Sequence, residues 1–306
     1  MRQFIVRRLG YSLLSLLLLS LTIFFFVRVT GDPAALLVEP GASEEDIAAI
    51  HQQFGLDRPL WVQYGLFMFN LARGDLGQSF YYQTPVFDLY LDRLPNSLLL
   101  AAVAMAFSLL VGIPSGILAA VRVGRFWDSA GKLFALLGLS LPSFFVGLVL
   151  ILVFTVFLGW LPSSGSGTPL HLIMPAFALG WYFAAAHMRM TRSSMLEVLG
   201  SEYVKLARLK GLPQALVIGK HAFKNALIPV LTLAGINLVL MINVAVVVET
   251  VFAWPGIGRL LYEGISFRDF PVVQGVVILG GTMIVMVNLL VDVVYAVIDP
   301  RIRLEK

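Results

Sequence analysis

The sequence predicts an all-α integral membrane protein with six transmembrane helices. Hydrophobic residues make up 58% of the 306 residues and charged residues only 13%, whereas soluble domains usually carry about 25% charged residues. Several segments are long and apolar enough to cross the roughly 30 Å hydrocarbon core of a bilayer as helices. Lysine and arginine concentrate in alternate connections between these segments, as the positive-inside rule requires.

Each predicted transmembrane helix is a run of about 20 mainly apolar residues, which suffices because a helix rises 1.5 Å per residue. The six runs cover residues 9–29, 97–121, 132–158, 170–190, 226–249 and 272–298. The first run follows three arginines, as in a signal peptide, but it is too long for a signal-peptide core and lacks a small-x-small cleavage site. We therefore expect residues 1–30 to be retained as the first transmembrane helix.

The distribution of basic residues predicts that both termini are cytosolic. With the N-terminus inside, 16 of the 22 Lys and Arg residues fall in cytosolic segments and six in external ones. Because these residues cluster beside apolar runs, the net charge of +4 indicates membrane topology and argues against nucleic-acid binding. The chain has no cysteine, which excludes disulfides, thiolate metal sites and a cysteine nucleophile.

The connections predict the remaining organisation. Residues 31–96 form an extracytoplasmic segment with several turn signals, including Pro95, and with a short helix expected at residues 43–55. Residues 97–298 form the transmembrane core, and residues 299–306 a cytosolic tail. The loop at 159–169 is expected to be a short connection, and the external loop at 250–271 is expected to fold back on itself.

A polar and basic segment at residues 202–229 separates the fourth and fifth predicted helices. Its first nine residues place a charged stripe and an apolar stripe on a helix at i, i+3 and i+4 spacing. The charged stripe is Glu202, Lys205 and Arg208, and the apolar stripe is Tyr203, Leu206 and Ala207. Lipid cannot hold so many charges, so this segment is expected to lie in water at the cytosolic face.

The sequence also predicts where this short helix begins and ends. Glu202 stands where the helix dipole favours negative charge, Gly211 predicts a left-handed C-terminal stop, and Pro213 prevents continuation. The resulting rod, about 15 Å long, either lies on lipid headgroups or fits a groove in another protein. The small side chain of Ala207 favours the protein groove.

The spacing of Glu202, Ala207, Gly211 and Ile228-Pro229 resembles the EAA loop of permease subunits in ABC importers. Tyr203 replaces the consensus alanine, as is common in the peptide-type branch. Other short matches to the dipeptide, oligopeptide, glutathione and nickel permeases follow in the same order along nearly the whole chain. They are Gly31-Asp32-Pro33, Gly55-Leu56-Asp57 with Pro59-Leu60, Gly74-Asp75-Leu76-Gly77, Trp254-Pro255-Gly256, Arg268-Asp269 with Pro271, and Asp299-Pro300-Arg301.

This resemblance implies a type I ABC importer fold in the bacterial inner membrane and a permease that forms half of the path for a peptide-type solute. It implies four further subunits, namely a second homologous permease, two cytosolic ATPases and an extracytoplasmic solute-binding protein. The EAA-type loop, about residues 190–229, would supply a coupling helix for an ATPase cleft. The coupling residues would be Glu202, Tyr203, Lys205, Leu206, Ala207, Arg208 and Gly211. Nickel chelate and glutathione stay open as alternative cargoes.

Nothing in the sequence supports catalysis by this chain. Gly131-Lys132-Leu133 lacks the earlier glycine and the hydroxyl residue of a P-loop, so ATP and Mg²⁺ are expected on partner subunits and no cofactor is expected here. A membrane enzyme would need a cluster of catalytic side chains. An ion-coupled secondary transporter would need midplane carboxylates and an inverted repeat. Neither feature is apparent.

Polar residues inside the predicted spans are few, and they are the candidates for a translocation path. They are Asn237, Asn243, Asn288 and Asp292. Such residues either line a polar path or form hydrogen bonds between helices. His187 is a lone imidazole without a metal-ligand partner at the usual spacing. Gly112 and Gly116 form a G-x-x-x-G that predicts close helix packing.

Overall fold

The computed structural model describes the backbone of residues 2–30 and 57–298, with side chains at residues 8, 10–29 and 57–291. The helix expected at residues 43–55, the matches at residues 31–33 and 299–301, and the side chain of Asp292 lie outside the described residues. Within the described part, regular structure is helical apart from an isolated bridge between Gln78 and Pro85.

Eleven helical elements follow one another in the described residues. They are α1 (Arg2–Thr30), α2 (Leu60–Ala72), α3 (Val86–Val121), α4 (Phe126–Ser140), α5 (Ser143–Leu150) with a π-helical continuation (Ile151–Phe157), α6 (Leu170–Leu199), α7 (Glu202–Leu209), α8 (Gln214–Leu216) with a π-helical continuation (Val217–Phe223), α9 (Lys224–Val251), α10 (Ile257–Ser266) and α11 (Phe270–Ile298). The elements from Gln214 to Val251 run on as one helical rod.

The predicted fold class is confirmed. Within the described ranges, five helices are long and apolar enough to cross a membrane. They are Gly10–Val29 in α1, α3, α6, the rod Gln214–Val251, and Phe270–Val291 in α11. A sixth span is available only if α4 and the helix from Ser143 to Phe157 are counted together.

The third predicted span, at residues 132–158, is not one straight helix. It bends by 106° between Ser140 and Ser143. Leu141 is extended there, with φ −90° and ψ 127°, because a proline disfavours the helical conformation of the residue before it. Pro142 also has no N–H to continue the α4 hydrogen-bond ladder. The chain therefore ends one helix at Ser140 and starts another at Ser143.

Helices extend beyond the predicted spans at several ends. The second predicted span corresponds to α3, which begins at Val86 and not near Ser97. This helix passes through Pro95, where a turn was expected. The fourth predicted span corresponds to α6, which continues to Leu199, beyond the predicted end at Met190. Hydropathy marks only the part of a helix in hydrocarbon, so polar ends in water escape it. Helix α2 was not predicted because its 13 residues are too few for a span.

The chain divides into two compact units. One contains residues 1–95, 259–290 and 299–306, and its described core includes Ile23, Val27, Phe270 and Ile278. The other contains residues 96–258 and 291–298. Its main core is built from α3, α5, α6 and α9, around Leu100, Leu179, Phe183, Met241 and Phe252.

The close helix packing predicted from G-x-x-x-G is confirmed within the second unit. A Cβ added to Gly112 would lie 2.6 Å from the carbonyl oxygen of Ala184, and one added to Gly116 would lie 2.6 Å from the carbonyl oxygen of Met188. Only glycine lets α3 approach the backbone of α6 so closely. The buried face of α6 is therefore fixed against α3, which leaves its opposite face for other contacts.

Candidate coupling and transport site

Helix α7 begins where the sequence predicts. The backbone N–H of Gly200 still donates to Leu196 and Glu197, but Ser201 is extended and breaks the helical path of α6. The carbonyl of Ser201 accepts the first hydrogen bond of α7, from Lys205 at 3.1 Å. Glu202 stands in the first turn, where the helix dipole stabilises negative charge.

The predicted C-terminal stop at Gly211 is confirmed as a Schellman motif. Gly211 has φ +74°, a conformation that glycine adopts without strain. Its N–H donates to the carbonyl of Arg208 at 2.9 Å, and the N–H of Leu212 donates to that of Ala207 at 3.4 Å. These two bonds satisfy carbonyls that a helix end leaves open. Both ends of α7 are thus fixed by backbone geometry.

The buried face of α7 differs from the predicted apolar stripe. Val204 and Ala207 are buried, whereas Tyr203 and Leu206 are exposed. Val204 and Ala207 pack within their own unit, in a cluster completed by Ala120, Met195, Val217, Ala222 and Ala226. The grouping of Ala207 with Tyr203 and Leu206 was wrong because helical spacing allows two apolar faces and does not say which is internal. Ala207 therefore packs α7 against the helices of its own unit.

The outer face of α7 combines charge with exposed leucines. Glu202, Lys205 and Arg208 are exposed, and Lys205 Nζ lies 2.7 Å from Glu202 Oε1. Leu206 is 53% exposed and Leu209 84%. The hydroxyl of Tyr203 accepts a hydrogen bond from Asn225 at 2.9 Å. Leu209 was not among the predicted coupling residues, although its position three residues after Leu206 was a usable signal.

Among the predicted path residues whose side chains the structure describes, Asn237 lines a groove. Asn237 is buried on α9, and its Nδ2 lies 3.2 Å from Nε2 of His187 on α6. Asn243 is exposed and donates to the carbonyl of Val239 in its own helix. Asn288 is exposed on α11, and the side chain of Asp292 is not described. The role of these four residues in a translocation path stays a prediction.

The groove beside Asn237 has a volume of about 460 Å³ and lies along α6. Its lining residues are Leu139, Tyr182, Ala186, Arg189, Met190, Ser193, Leu233 and Asn237. A second cavity of about 300 Å³ shares Leu139 and Tyr182 and adds the α4–α5 break with Leu179, Phe183 and Val244. Sequence reasoning missed Tyr182, Arg189 and Ser193, although their spacing of seven and four residues marks one helix face.

The Trp254-Pro255-Gly256 match folds back over the end of α9, as expected for this loop. The Trp254 backbone N–H donates to the carbonyl of Glu249, and its indole Nε1 donates to the carbonyl of Asn96. The buried carboxylate of Glu249 accepts hydrogen bonds from Ser97 Oγ at 2.6 Å and from the Gly258 N–H at 2.7 Å. Glu249 therefore holds this loop in place.

No metal-binding group emerges from the part of the chain that the structure describes, since no three His, Asp or Glu side chains come together there. The two grooves are lined by neutral side chains and one arginine. The geometry therefore consists of a rigid exposed helix and a groove along the preceding helix, both within one unit.

Family models match nearly the whole chain. The model described as "Binding-protein-dependent transport system inner membrane component" matches residues 112–304, and the related N-terminal model matches residues 1–101. The chain belongs to this family. It is accordingly a multi-pass membrane protein and a permease subunit of an ABC importer, in the branch that contains dipeptide and glutathione permeases.

Relatives of this binding-protein-dependent permease match it over nearly full length. It is 39% identical over 304 residues to the glutathione transport system permease protein GsiC of Escherichia coli O6:H1, covering 99% of both chains. It is 40% identical over 339 residues to the dipeptide transport system permease protein DppB of Escherichia coli K12, covering 100% of both.

Two solved structures share the fold at low sequence identity. An inward-facing MetNI methionine ABC transporter gives a TM-score of 0.56 at 19% identity, covering 69% of this permease and 96% of that chain. An amino acid ABC transporter with histidines gives a TM-score of 0.55 at 15% sequence identity, and the match covers 67% of this permease and 92% of that chain. These matches confirm the importer fold of the transmembrane core.

Proposed function

We propose that this permease imports a peptide-type solute, and that α7 couples transport to ATP hydrolysis in a separate cytosolic subunit. The outer face of α7 carries this proposal. A leucine that is 84% exposed in the last turn of a charged helix gains stability when a protein partner or the lipid surface covers it, and we propose a protein partner. A groove in an ATPase with acidic rims would cover Leu206 and Leu209 and would pair with Lys205 and Arg208.

The inner face of α7 explains how motion in such a partner would reach the membrane. Val204 and Ala207 are packed against α3, α6 and the rod from Gln214 to Val251. A packed core transmits displacement because it has little free volume. Movement of α7 would therefore pull on several spans together, which suits a subunit that alternates between inward-facing and outward-facing states.

We infer the remaining subunits from the family description and from the number of membrane spans in this chain. Its family name specifies a binding protein, which we place on the extracytoplasmic side. Five or six spans are too few to enclose a peptide-sized path, so a second permease of similar build completes it. We propose two such permeases and two ATPases, with ATP and Mg²⁺ bound by the ATPases. The positive-inside pattern supports cytosolic positions for α7 and both termini.

Peptide-type cargo has the best support among the alternatives. Two relatives at 39% and 40% identity are named for glutathione and dipeptide transport, and glutathione is itself a small peptide. Both cargoes carry carboxylates, amide groups and small side chains. A nickel chelate is the alternative cargo. Competition of labelled dipeptide uptake by glutathione and by a nickel chelate, in cells with and without this permease, separates these possibilities.

The docking role of α7 is tested with a double variant. Leu206→Asp with Leu209→Asp changes only exposed side chains, so membrane insertion should remain normal while co-purification of the ATPase and solute uptake are lost. Val123→Asp is a matched control, because Val123 is an aliphatic residue 55% exposed in the turn after α3. Normal ATPase binding and full uptake in the double variant would contradict the coupling role.

Two further variants test the residues that the sequence singled out. Glu202→Lys reverses the charge in the first turn, and Gly211→Val places a β-branched residue at φ +74°, where such a residue is strained. Both should abolish uptake and leave the chain in the membrane. Gly211→Asn should retain most activity because asparagine tolerates the left-handed region.

A further inference from the structure

The described lining of the groove along α6 contains one cation, Arg189. Arg189 lies three residues before Arg192, which is bound to a buried carboxylate at 2.7 Å. Arg189 itself is exposed to the groove and makes no hydrogen bond or ion pair with the part of the chain that the structure describes. No Asp or Glu lines the groove. The site is therefore electropositive and lacks an internal counterion.

We propose that this groove binds the carboxylate of the translocating solute through Arg189. The inference rests on the proposed function and names the chemistry that the path recognises. Guanidinium groups bind carboxylates with two parallel hydrogen bonds. The hydroxyls of Tyr182 and Ser193 lie on the same face of α6 and offer neutral hydrogen-bonding groups beside the cation.

Asn237 supplies the acceptor that a peptide amide requires. Its Nδ2 lies 3.2 Å from Nε2 of the buried His187 and donates to it in the histidine tautomer that carries the proton on Nδ1, which orients the amide. Its Oδ1 has no hydrogen-bond partner among the described residues. An N–H group of a solute in the groove can donate to this oxygen. One arginine, two hydroxyls and one amide oxygen thus match a carboxylate next to an amide.

The dimensions of the groove also fit a small peptide-type solute. Its volume of about 460 Å³ lies within the usual range for small-molecule sites. The adjoining cavity of about 300 Å³, lined by Pro142, Phe183 and Val244, can accept an apolar side chain. A single exposed ion pair contributes little affinity, which allows the solute to leave again during each transport cycle.

The absence of cysteine from the chain makes a direct test possible. Ser193→Cys introduces a unique thiol into the groove of the assembled importer in nanodiscs of zwitterionic lipid. The thiol is labelled with an anionic sulfonate or a cationic ammonium methanethiosulfonate reagent, and the labelled chain is followed by mass spectrometry. The anionic-to-cationic rate ratio should exceed that of Ser166→Cys, an exposed residue in the 159–169 loop.

Charge at position 189 should control this ratio. Arg189→Gln should lower it about threefold or more, because two unit charges about 4 Å apart interact strongly enough even in bulk water to change a rate several-fold, whereas Arg189→Lys should preserve it. Arg122→Gln is the matched control, because Arg122 is exposed and lies outside the groove. An equal ratio with Arg and Gln at position 189, or equal ratios at Ser193→Cys and Ser166→Cys, would overturn the proposal.

Two ligand arms identify the occupant. A millimolar dipeptide should slow labelling of Ser193→Cys, its C-terminal amide should slow it less, and Arg189→Gln should remove the difference. If phosphatidylglycerol in the nanodisc slows labelling and the dipeptide does not, the groove binds lipid headgroups and the inference fails.

Dipeptide uptake by the unmodified importer is measured separately. Uptake without any effect of Arg189 on labelling overturns only this inference, whereas absent uptake counts against the proposed function.

Discussion

The buried carboxylate of Asp128 binds the guanidinium of Arg192, with Nε of the arginine 2.7 Å from Oδ1. The same carboxylate accepts hydrogen bonds from the Gly124 N–H at 3.0 Å and from Lys132 Nζ at 2.8 Å. Asp128 is fully buried, whereas the side chain of Arg192 is 21% exposed. This arrangement fixes the turn before α4 to α6, the helix from which α7 continues.

Asp128→Ala is expected to destabilise the permease strongly. It removes the acceptor of three donors and leaves the mostly buried guanidinium of Arg192 without a counterion, which should lower the free energy of unfolding more than loss of a surface ion pair does. The thermal unfolding midpoint of purified protein in detergent measures the effect. Lys132→Ala removes a donor whose side chain is 57% exposed and should change stability by less than about 1 kcal/mol. Equal midpoints for both variants would contradict this assignment.

The sequence predicted the parts of the fold that depend on local patterns. Runs of apolar residues marked the spans, and the Gly211 stop of α7 followed from one glycine before a proline. The ion pair of Asp128 with Arg192 could not be predicted, because the two residues are separated by 64 positions and no local pattern links them. The groove was missed for the same reason, since α4, α6 and α9 each contribute part of its lining.

The errors also have local physical causes. Hydropathy predicted one continuous third span because it measures how apolar a segment is and does not depend on the direction of the helix axis. Pro142 is the residue in the sequence that indicates the bend. The internal face of α7 was misassigned because Val204 and Leu206 are both apolar, so that composition does not decide which one is buried. Asn243, predicted either to line the path or to form hydrogen bonds between helices, is exposed and donates to the carbonyl of Val239 in its own helix, and its role in the path stays a prediction.

Gly112→Ala and Gly116→Ala should each weaken the packing of α3 against α6. The added methyl group would meet backbone oxygens of α6 at 2.6 Å, and backbone cannot move aside as a side chain can. Overpacking of this kind typically costs about 1–3 kcal/mol. Gly65→Ala in α2 is the control, since nothing lies within 4 Å of its added Cβ. Thermal unfolding should rank both variants below wild type and leave the control unchanged or slightly stabilised.

Glu249→Ala should release the Trp254-Pro255-Gly256 loop. The Gly258 N–H and the Ser97 hydroxyl would lose their carboxylate acceptor, and an unsatisfied buried donor costs about 1–3 kcal/mol. Hydrogen exchange at Gly258 should become faster. Glu249→Gln should have a smaller effect, because its amide oxygen can still accept from Gly258. Exchange at Gly258 that is as slow in Glu249→Ala as in an exposed-site control, Glu197→Ala, would show that the carboxylate does not hold the loop.

Tyr82→Phe should remove a hydrogen bond whose strength depends on pH. The Tyr82 hydroxyl donates to Glu263 at 2.7 Å, and burial together with this carboxylate raises the pKa of Tyr82 to about 12. Because the pKa is higher in the folded state than the ordinary value of 10.0, this contribution is complete below pH 10 and is lost as the pH rises through 12. At neutral pH the variant should lose about 1 kcal/mol.

The pH dependence separates this hydrogen bond from simple packing. Unfolding midpoints of wild type and Tyr82→Phe should differ at pH 8 and converge as the pH rises from 10 towards 12. Tyr81→Phe is the matched control, because Tyr81 stacks on Phe267 with ring centroids 4.1 Å apart, a contact that phenylalanine preserves. A Tyr82→Phe deficit that stays constant up to pH 12 would mean that the neutral hydroxyl is not the group that Glu263 binds.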